Sequence, residues 1–365
     1  MKKAIRIIAL FAALAALLCA CRKEETPEPV MSVGENAIDE GNYRFLYATY
    51  KARYLARYSD ASDTAAFWNA EHESGVTNAE WMDSMIRDSI RMQLAAEHLF
   101  DAAGLKLSDD KQSAIDEAVS DMKNELFDGD VEKFAAALAE LGTDEDGYRA
   151  FLASTEKMNE LFEHYFGTSG IRQINEGERD AYYRANYVRF AQININDAYA
   201  LAERDGYYIQ NPDGSYERRE LTDAELAEKR SKIAEVDGRL AAGETVESLY
   251  VEYSENTDYP NGYYFSALTA SNYDDTIVAA AFALAEGEWT KLHTEHGTFY
   301  IERLALDSGA YATDGNADFF GGFESAVKNS LFDEVLRSHF GEIAEASEKL
   351  DALSVTSVAP NYDLD

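Results

Sequence analysis

The chain has 365 residues, of which 46% are hydrophobic, and this excludes wholesale disorder and allows a core in each of two or three domains. Its formal net charge is −35, and such a surface repels the phosphate backbone, so nucleic acid is excluded as a partner. The acidic surface is either a solubilising coat or a device that keeps a sticky binding surface from self-associating. The sequence leaves both open.

Residues 1–20 read as a secretion signal, with a basic start followed by an apolar run too short to span a bilayer comfortably. The run ends Leu18-Cys19-Ala20-Cys21, which resembles a bacterial lipobox with Cys21 as the lipid acceptor. Cleavage before Cys21 would remove Cys19 and leave the mature chain without a disulfide. We therefore expect a lipid-anchored protein on the extracytoplasmic face of the cell membrane. An ordinary signal peptide with two chance cysteines is the alternative.

The next stretch, 21–32, carries Glu and Pro without an apolar period and is predicted to be a flexible tether. A short extended piece from Val33 then enters a helix that Asp39 can cap. Aromatic residues recur at helical spacing along this helix, among them Tyr43 and Tyr50. Such a stripe is typical of a core, and the alternative is that some of the rings face a groove.

Further helices follow from periodicity, capping residues and terminal glycines. They are predicted over 77–103, from Ser108 to Leu126, over 131–141, over 148–166, and from Asn175 through Tyr183.

A change of period marks the second half of the chain. Tyr187–Asn196 alternates apolar and polar residues and is predicted to be a strand. Asn211–Gly214 is a strong turn, which predicts an inserted hairpin near 205–218. An amphipathic helix from Leu221 to Leu240 and a short helix after Gly243 come next. A helix near Ala279–Glu288 and an alternating strand at Gly297–Arg303 close the segment.

This order of strand, two helices, helix and strand resembles a parvulin-type peptidyl-prolyl isomerase domain. The string Val33-Gly34 to Ile38, followed by an aromatic helix and a bundle, resembles the N-terminal chaperone domain of the PrsA and SurA foldases. The resemblance implies an α+β fold. A helical chaperone domain over 33–180, with N- and C-terminal segments packed together, would carry an inserted β-α-α-β-α-β domain over 181–306. A linker over 307–322 and a C-terminal helix over 323–355, continuous from Phe323 to Leu350, would complete the chaperone domain.

Parvulins rotate an X–Pro bond, whose barrier is about 18–20 kcal/mol, without covalent chemistry. They use two histidines, a Cys or Asp, a Met and a Phe. Carried over in that order, the first-strand histidine falls on Gln192, the Cys or Asp on Asn256, the Met near Tyr273, the Phe on Ile277, and the last-strand histidine on Phe299. No histidine, cysteine or aspartate survives at these positions. The resemblance therefore implies weak or absent isomerase activity.

The apolar part of such a site survives, because Ile277, Phe282 and Phe299 could still line a proline-sized hollow. The resemblance implies a foldase that assists secreted proteins, with unfolded or nascent polypeptides as partners, and leaves a homodimer open. Candidate client-binding aromatics of the helical domain are Tyr43, Tyr50, Phe67 and Trp68.

No cofactor is expected. The pair His293 and His296 is a weak metal signal, so no metal is expected either. Two alternatives stay open: an active isomerase with a rearranged site, and a non-catalytic substrate-binding lipoprotein. The second would have two lobes of alternating strands and helices.

Overall fold

The computed structural model describes residues 28–58, 61–73, 75–267 and 273–362, so the leader and Cys21 lie outside the described residues. These residues form two compact units. One comprises 28–173 with 331–362, and the other comprises 174–330. Helices dominate the first unit and a four-stranded sheet organises the second, which confirms the α+β class. Among the helices in these ranges, none combines the length and the apolar character needed to cross a bilayer.

The first unit starts with a hairpin and continues as helices. Its elements are β1 (Pro29–Val33), β2 (Asn36–Asp39), α1 (Glu40–Arg57), α2 (Ala65–Trp68), β3 (Glu71–Glu73), β4 (Val76–Thr77), α3 (Asn78–Ala102), α4 (Asp109–Phe127), α5 (Val131–Leu141) and α6 (Glu145–Phe166).

Side-chain caps fix the helix starts that the sequence predicts. The Asp39 carboxylate accepts the Asn42 N–H at 2.8 Å at the start of α1. Thr77 and Glu80 form a reciprocal capping box at the start of α3. Because residues four apart share one helix face, Met82, Ile86, Ile90 and Leu94 then form the fully buried stripe of α3.

The chain re-enters this unit at Leu331, within α11 (Phe323–Ser338), and continues through β13 (Ala344–Glu345) and α12 (Ser347–Leu350). Strand β13 pairs antiparallel with β1, and Met31 lies opposite Glu345. The buried Lys51 ammonium donates to the carbonyls of Val355 and Val358 at 2.6 and 2.8 Å. The two ends of the chain are therefore packed together in one core, as the fold class predicts.

Two predictions about these ends are wrong. The predicted tether over 21–32 includes β1, in which Val30 and Met31 are buried. The predicted continuous helix to Leu350 stops at Ser338, and a 3₁₀ turn at Phe340–Glu342 leads into β13. Both segments form strands by pairing with other segments: β1 pairs with β2 in the hairpin, and β13 pairs with β1, which lies about 310 residues away in sequence.

The second unit is an antiparallel sheet covered by helices. Its main elements are α7 (Glu176–Asn186), β5 (Tyr187–Ile195), α8 (Asp223–Ala241), α9 (Val246–Tyr253), β10 (Tyr263–Ser266), α10 (Asp275–Ala283), β11 (Trp289–Thr294) and β12 (Gly297–Leu304). The insertion between β5 and α8 holds four short strands, β6 (Ala200–Leu201), β7 (Glu203–Arg204), β8 (Tyr207–Tyr208) and β9 (Arg218–Arg219). The sheet order is β10-β5-β12-β11.

The two faces of β5 have different roles, because successive side chains of a strand point to opposite sides. Ala191, Ile193 and Ile195 pack in one cluster with Val236, Leu240, Val246 and Leu249 from α8 and α9. The intervening residues, which include Gln192 and Asn194, point to the other face. That face is where the candidate site lies.

The sheet unit departs from the prediction in four places. The edge strand β11 was not predicted, and α10 begins at Asp275 rather than near Ala279. Helix α7 belongs to this unit and not to the bundle. The predicted linker is packed, since Phe319 and Phe320 are buried. Aromatic contacts explain the last two differences, because the Tyr183 ring of α7 lies 5.8 Å from the ring of Phe320.

Candidate functional site

A cavity of roughly 800 Å³ lies on the face of the sheet that carries Gln192. All five positions that the resemblance singles out line this cavity: Gln192, Asn256, Tyr273, Ile277 and Phe299. Phe282 is absent from the described lining and its side chain is 40% exposed. The structure thus brings together the five positions that the resemblance singles out and leaves Phe282 outside the described lining.

Strand register places Gln192 and Phe299 on neighbouring strands. Phe299 of β12 lies opposite Asn194 of β5, and Gln192 lies opposite Ile301. Gln192 and Phe299 therefore occupy a diagonal pair on one face of the sheet, within reach of a common ligand. Both side chains are almost fully buried, at 3% and 4% exposure.

The start of α10 supplies the apolar wall. Asp274 caps this helix by accepting the N–H groups of Thr276 and Ile277 at 2.9 and 3.3 Å. The cap fixes the first turn and holds Ile277 in the cavity wall at 1% exposure. Tyr273 precedes the cap, and its ring packs 4.8 Å from the ring of Phe265.

Asn256 reaches the cavity from the loop after α9. Its backbone carbonyl accepts the Ser254 hydroxyl at 2.7 Å, and its side-chain oxygen accepts the Asp258 N–H at 3.0 Å. The loop is therefore held by its own hydrogen bonds, and Asn256 presents an amide where the resemblance expects a Cys or Asp.

A hydrogen-bonded pair forms the polar centre of the cavity. The Gln192 amide nitrogen and oxygen lie 2.9 and 3.1 Å from the Tyr273 hydroxyl. Burial raises the pKa of Tyr273 above its usual value, although the bond with Gln192 opposes this shift. The phenol is therefore neutral at physiological pH and can donate a hydrogen bond.

Further lining residues were missed by the sequence analysis. They are Asn194, Asn196, Tyr199, Asp274, Asp275, Glu295 and His296. The alternation along β5 could have identified Asn194, because it shares a face with Gln192. Among the described residues, the buried Asn194 side-chain oxygen has no hydrogen-bond partner. The β11–β12 turn delivers Glu295 and His296, and this required knowledge of β11.

The two histidines of this turn do not converge. The His293 ring lies 3.7 Å from the Asp197 carboxylate, whereas His296 lines the cavity and lies 6.5 Å from the Tyr199 ring. Within the described ranges, the side chains that could ligate a metal form no group of three or more.

The candidate aromatics of the helical unit lie in or against its core. Tyr43 and Trp68 are only 1% and 2% exposed, so in this structure they cannot contact a client, and their assignment to a binding surface is wrong. The helical spacing of the stripe buries it against α3, which is the commoner role of such stripes. Tyr50 donates to Gln93 at 3.2 Å, and the half-buried Phe67 packs edge-on against Trp68.

The cavity combines an apolar wall with neutral hydrogen-bonding groups. Ile277 and Phe299 can contact a proline ring, while Tyr273 and the amides of Gln192 and Asn256 can bind peptide carbonyl and N–H groups. The five matched positions hold no histidine, cysteine or carboxylate, whereas His296 and the carboxylates of Asp274, Asp275 and Glu295 lie elsewhere in the lining.

The sequence matches no protein-family model, and it matches no curated protein. Three solved structures illustrate what the fold is similar to. PrsA from Bacillus subtilis is 18% identical, with 80% of this chain and 90% of that chain covered and a TM-score of 0.23. The foldase PrsA from Streptococcus pneumoniae is 11% identical, with 81% and 97% covered and a TM-score of 0.23. A structure from the work on the SurA-like chaperones PEB4 and Cj1289 of Campylobacter jejuni is 12% identical, with 89% of this chain and 96% of that chain covered and a TM-score of 0.21.

Proposed function

We propose that this protein is an extracytoplasmic foldase, anchored through Cys21, that binds proline-containing segments of unfolded secreted polypeptides. The cavity on Gln192, Asn256, Tyr273, Ile277 and Phe299 is the proline-binding site. It acts mainly as a holder, with weak or no isomerase activity.

The observation that carries the proposal is the convergence of the five positions on one cavity. They were selected from the sequence alone, and they come from β5, the loop after α9, the start of α10 and β12. These elements are far apart in sequence, and they come together because β5 and β12 are neighbours in the sheet order β10-β5-β12-β11. Isomerisation requires no covalent step, so loss of the histidines leaves the binding half of the site intact.

Peptide titration of the full mature chain tests the binding site. We expect a proline tetrapeptide to bind in the millimolar to micromolar range and to perturb the amide NMR signals of Gln192 and Phe299. Phe299→Ala should weaken binding about tenfold, because it removes apolar contact of about 1.4 kcal/mol. Val251→Ala, on the exposed face of α9, is the matched control and should leave the affinity unchanged.

A prolyl-isomerase assay on the same peptide tests the holder role. We expect turnover at least a hundredfold below that of an ordinary parvulin. Turnover within tenfold would instead identify an active isomerase with a rearranged site, for which the Gln192–Tyr273 pair supplies the neutral donors. Absence of peptide binding together with unperturbed signals at Gln192 and Phe299 would refute the proposed site.

The cellular part of the proposal needs separate measurements. The purified chain should suppress aggregation of a denatured client, and fatty-acid labelling in a lipoprotein-processing bacterium should be lost in Cys21→Ser. Sedimentation analysis would decide between monomer and homodimer. The alternative of a two-lobed ligand-binding lipoprotein finds no support in the described part of the first unit, where the strands are short and the helices follow one another.

A further inference from the structure

The rim of the cavity carries an uneven charge. Asp274, Asp275 and Glu295 contribute three carboxylates to the lining, and no lysine or arginine is among the described lining residues. The rim is therefore acidic independently of the net charge of the chain.

The three carboxylates have different partners. Asp274 caps α10, so two backbone N–H groups and the helix dipole offset part of its charge. Asp275 is exposed in the first turn of the same helix. Glu295 is 76% exposed, and its one recorded ion-pair partner among the described residues is the imidazole of His296 at 3.4 Å. Asp275 and Glu295 are thus the carboxylates best placed to meet a ligand.

Two cationic side chains near the cavity already contact other residues. The Arg218 guanidinium lies 4.1 Å from the centre of the Tyr199 ring at the cavity edge. Lys229 is bonded to Glu255 on the next loop. One arginine against three rim carboxylates leaves the rim negative, and the Arg218–Tyr199 contact shows that the edge accommodates a guanidinium on an aromatic face.

The interior adds an amide to this rim. Asn194 lines the cavity, and its side-chain oxygen is buried without a partner among the described residues. The acidic rim favours ligands that carry positive charge.

We infer that the cavity selects X–Pro segments in which the residue immediately before or after the proline is lysine or arginine. This inference rests on the proposed function and names the client sequences that the site prefers. The apolar wall of Ile277 and Phe299 holds the proline ring, while Asp275 and Glu295 attract the cation. Segments with Asp or Glu beside the proline are disfavoured by the same rim.

Two peptides that differ at one position test the inference: acetyl-Ala-Lys-Pro-Phe-amide and acetyl-Ala-Glu-Pro-Phe-amide, titrated into the full mature chain at low salt. We expect the lysine peptide to bind at least about fivefold more tightly. The ratio should fall towards one at high salt, because screening weakens exposed charge interactions. The affinity ratio should also fall at least threefold in the double variant Asp275→Asn/Glu295→Gln, in which Asp274 still caps α10.

The matched control is Asp314→Asn/Asp318→Asn, which removes the same charge from exposed positions outside the described lining of the cavity. It should leave the ratio unchanged. Equal affinity for the two peptides, or an equal loss of preference in the control, would overturn the inference while leaving the proposed proline site intact. Failure of both peptides to bind would refute the proposed function and the inference with it.

Discussion

At the residue scale, the centre of the candidate site is a hydrogen-bonded pair of neutral side chains. The Gln192–Tyr273 hydrogen bond satisfies the buried amide, which would otherwise cost about 1–3 kcal/mol of stability. Phe299, almost fully buried, lines the same cavity. The polar centre is therefore compatible with a stable cavity.

A buried carboxyl in the helical unit gives a pH-dependent prediction. Glu97 of α3 lines a small cavity with Gln93 and Phe45, and its carboxylate lies 3.4 Å from the Gln93 amide nitrogen. Burial raises the pKa of Glu97 above its usual value, despite the opposing charge of Lys157. A raised carboxyl pKa means that ionisation penalises the folded state once the pH exceeds the pKa in the unfolded chain.

Glu97→Gln should therefore raise the free energy of unfolding near pH 8 and have a smaller effect near pH 4, where the carboxyl is mostly protonated in both states. Denaturant unfolding at the two pH values measures this difference. Glu117→Gln, on the exposed face of α4, is the control and should show no such pH dependence. Destabilisation by Glu97→Gln at pH 8 would mean that the charge is needed in the fold.

At the element scale, most helices are predictable because their caps and periods are local. The Asp39 cap was predicted from sequence, as was a helix start at Asn175 with Glu178, and the structure starts helices at both places. Strand β11 was missed because its side chains are exposed or half-buried and show no apolar alternation. An edge strand of this kind is specified by pairing with β12 rather than by its own pattern.

Two helical glycines give a matched test of close packing. A methyl group on Gly41, near the start of α1, would lie 2.1 Å from the Gly142 carbonyl oxygen, whereas one on Gly238 in α8 would have nothing within 4 Å. Gly41→Ala should lower the free energy of unfolding of the first unit by about 2–3 kcal/mol, because backbone must move. Gly238→Ala should raise that of the second unit by about 0.5–1 kcal/mol through helix propensity.

Thermal unfolding, followed by hydrogen exchange in each unit, measures both glycine effects. A neutral Gly41→Ala would show that the α5–α6 turn can move away from α1 at no cost.

At the scale of the whole molecule, the chain termini hold the helical unit together. Leu350, Val355 and Val358 are buried in the same core as Val30 and Met31. Lys51 is joined to this segment through two carbonyls and to Asp63 at 2.7 Å. The core of the first unit is therefore complete only after the second unit has been synthesised.

Deleting the chain from residue 344 onward tests this dependence. Loss of three buried apolar side chains removes about 6 kcal/mol, which is comparable to the stability of a typical domain. We expect amide protection to collapse in α3 and to persist in β5 and β12, as measured by hydrogen exchange with mass spectrometry. Val355→Asp in the full-length chain should weaken protection in α3 as well. Equal loss of protection in both units would show that they unfold as one.

The sequence by itself determined most helices and the first and last strands of the sheet, because caps, periods and strand alternation are local properties that side-chain chemistry dictates. The α+β class and the five positions that line one cavity followed from the resemblance of the sequence to a known family. Tertiary structure alone decided the pairing of β1 with β13, the burial of Tyr43 and Trp68, the packing of Phe319 and Phe320, and the acidic rim with Asp275 and Glu295. Each of these depends on contacts between residues far apart in the chain, and no local pattern encodes such contacts.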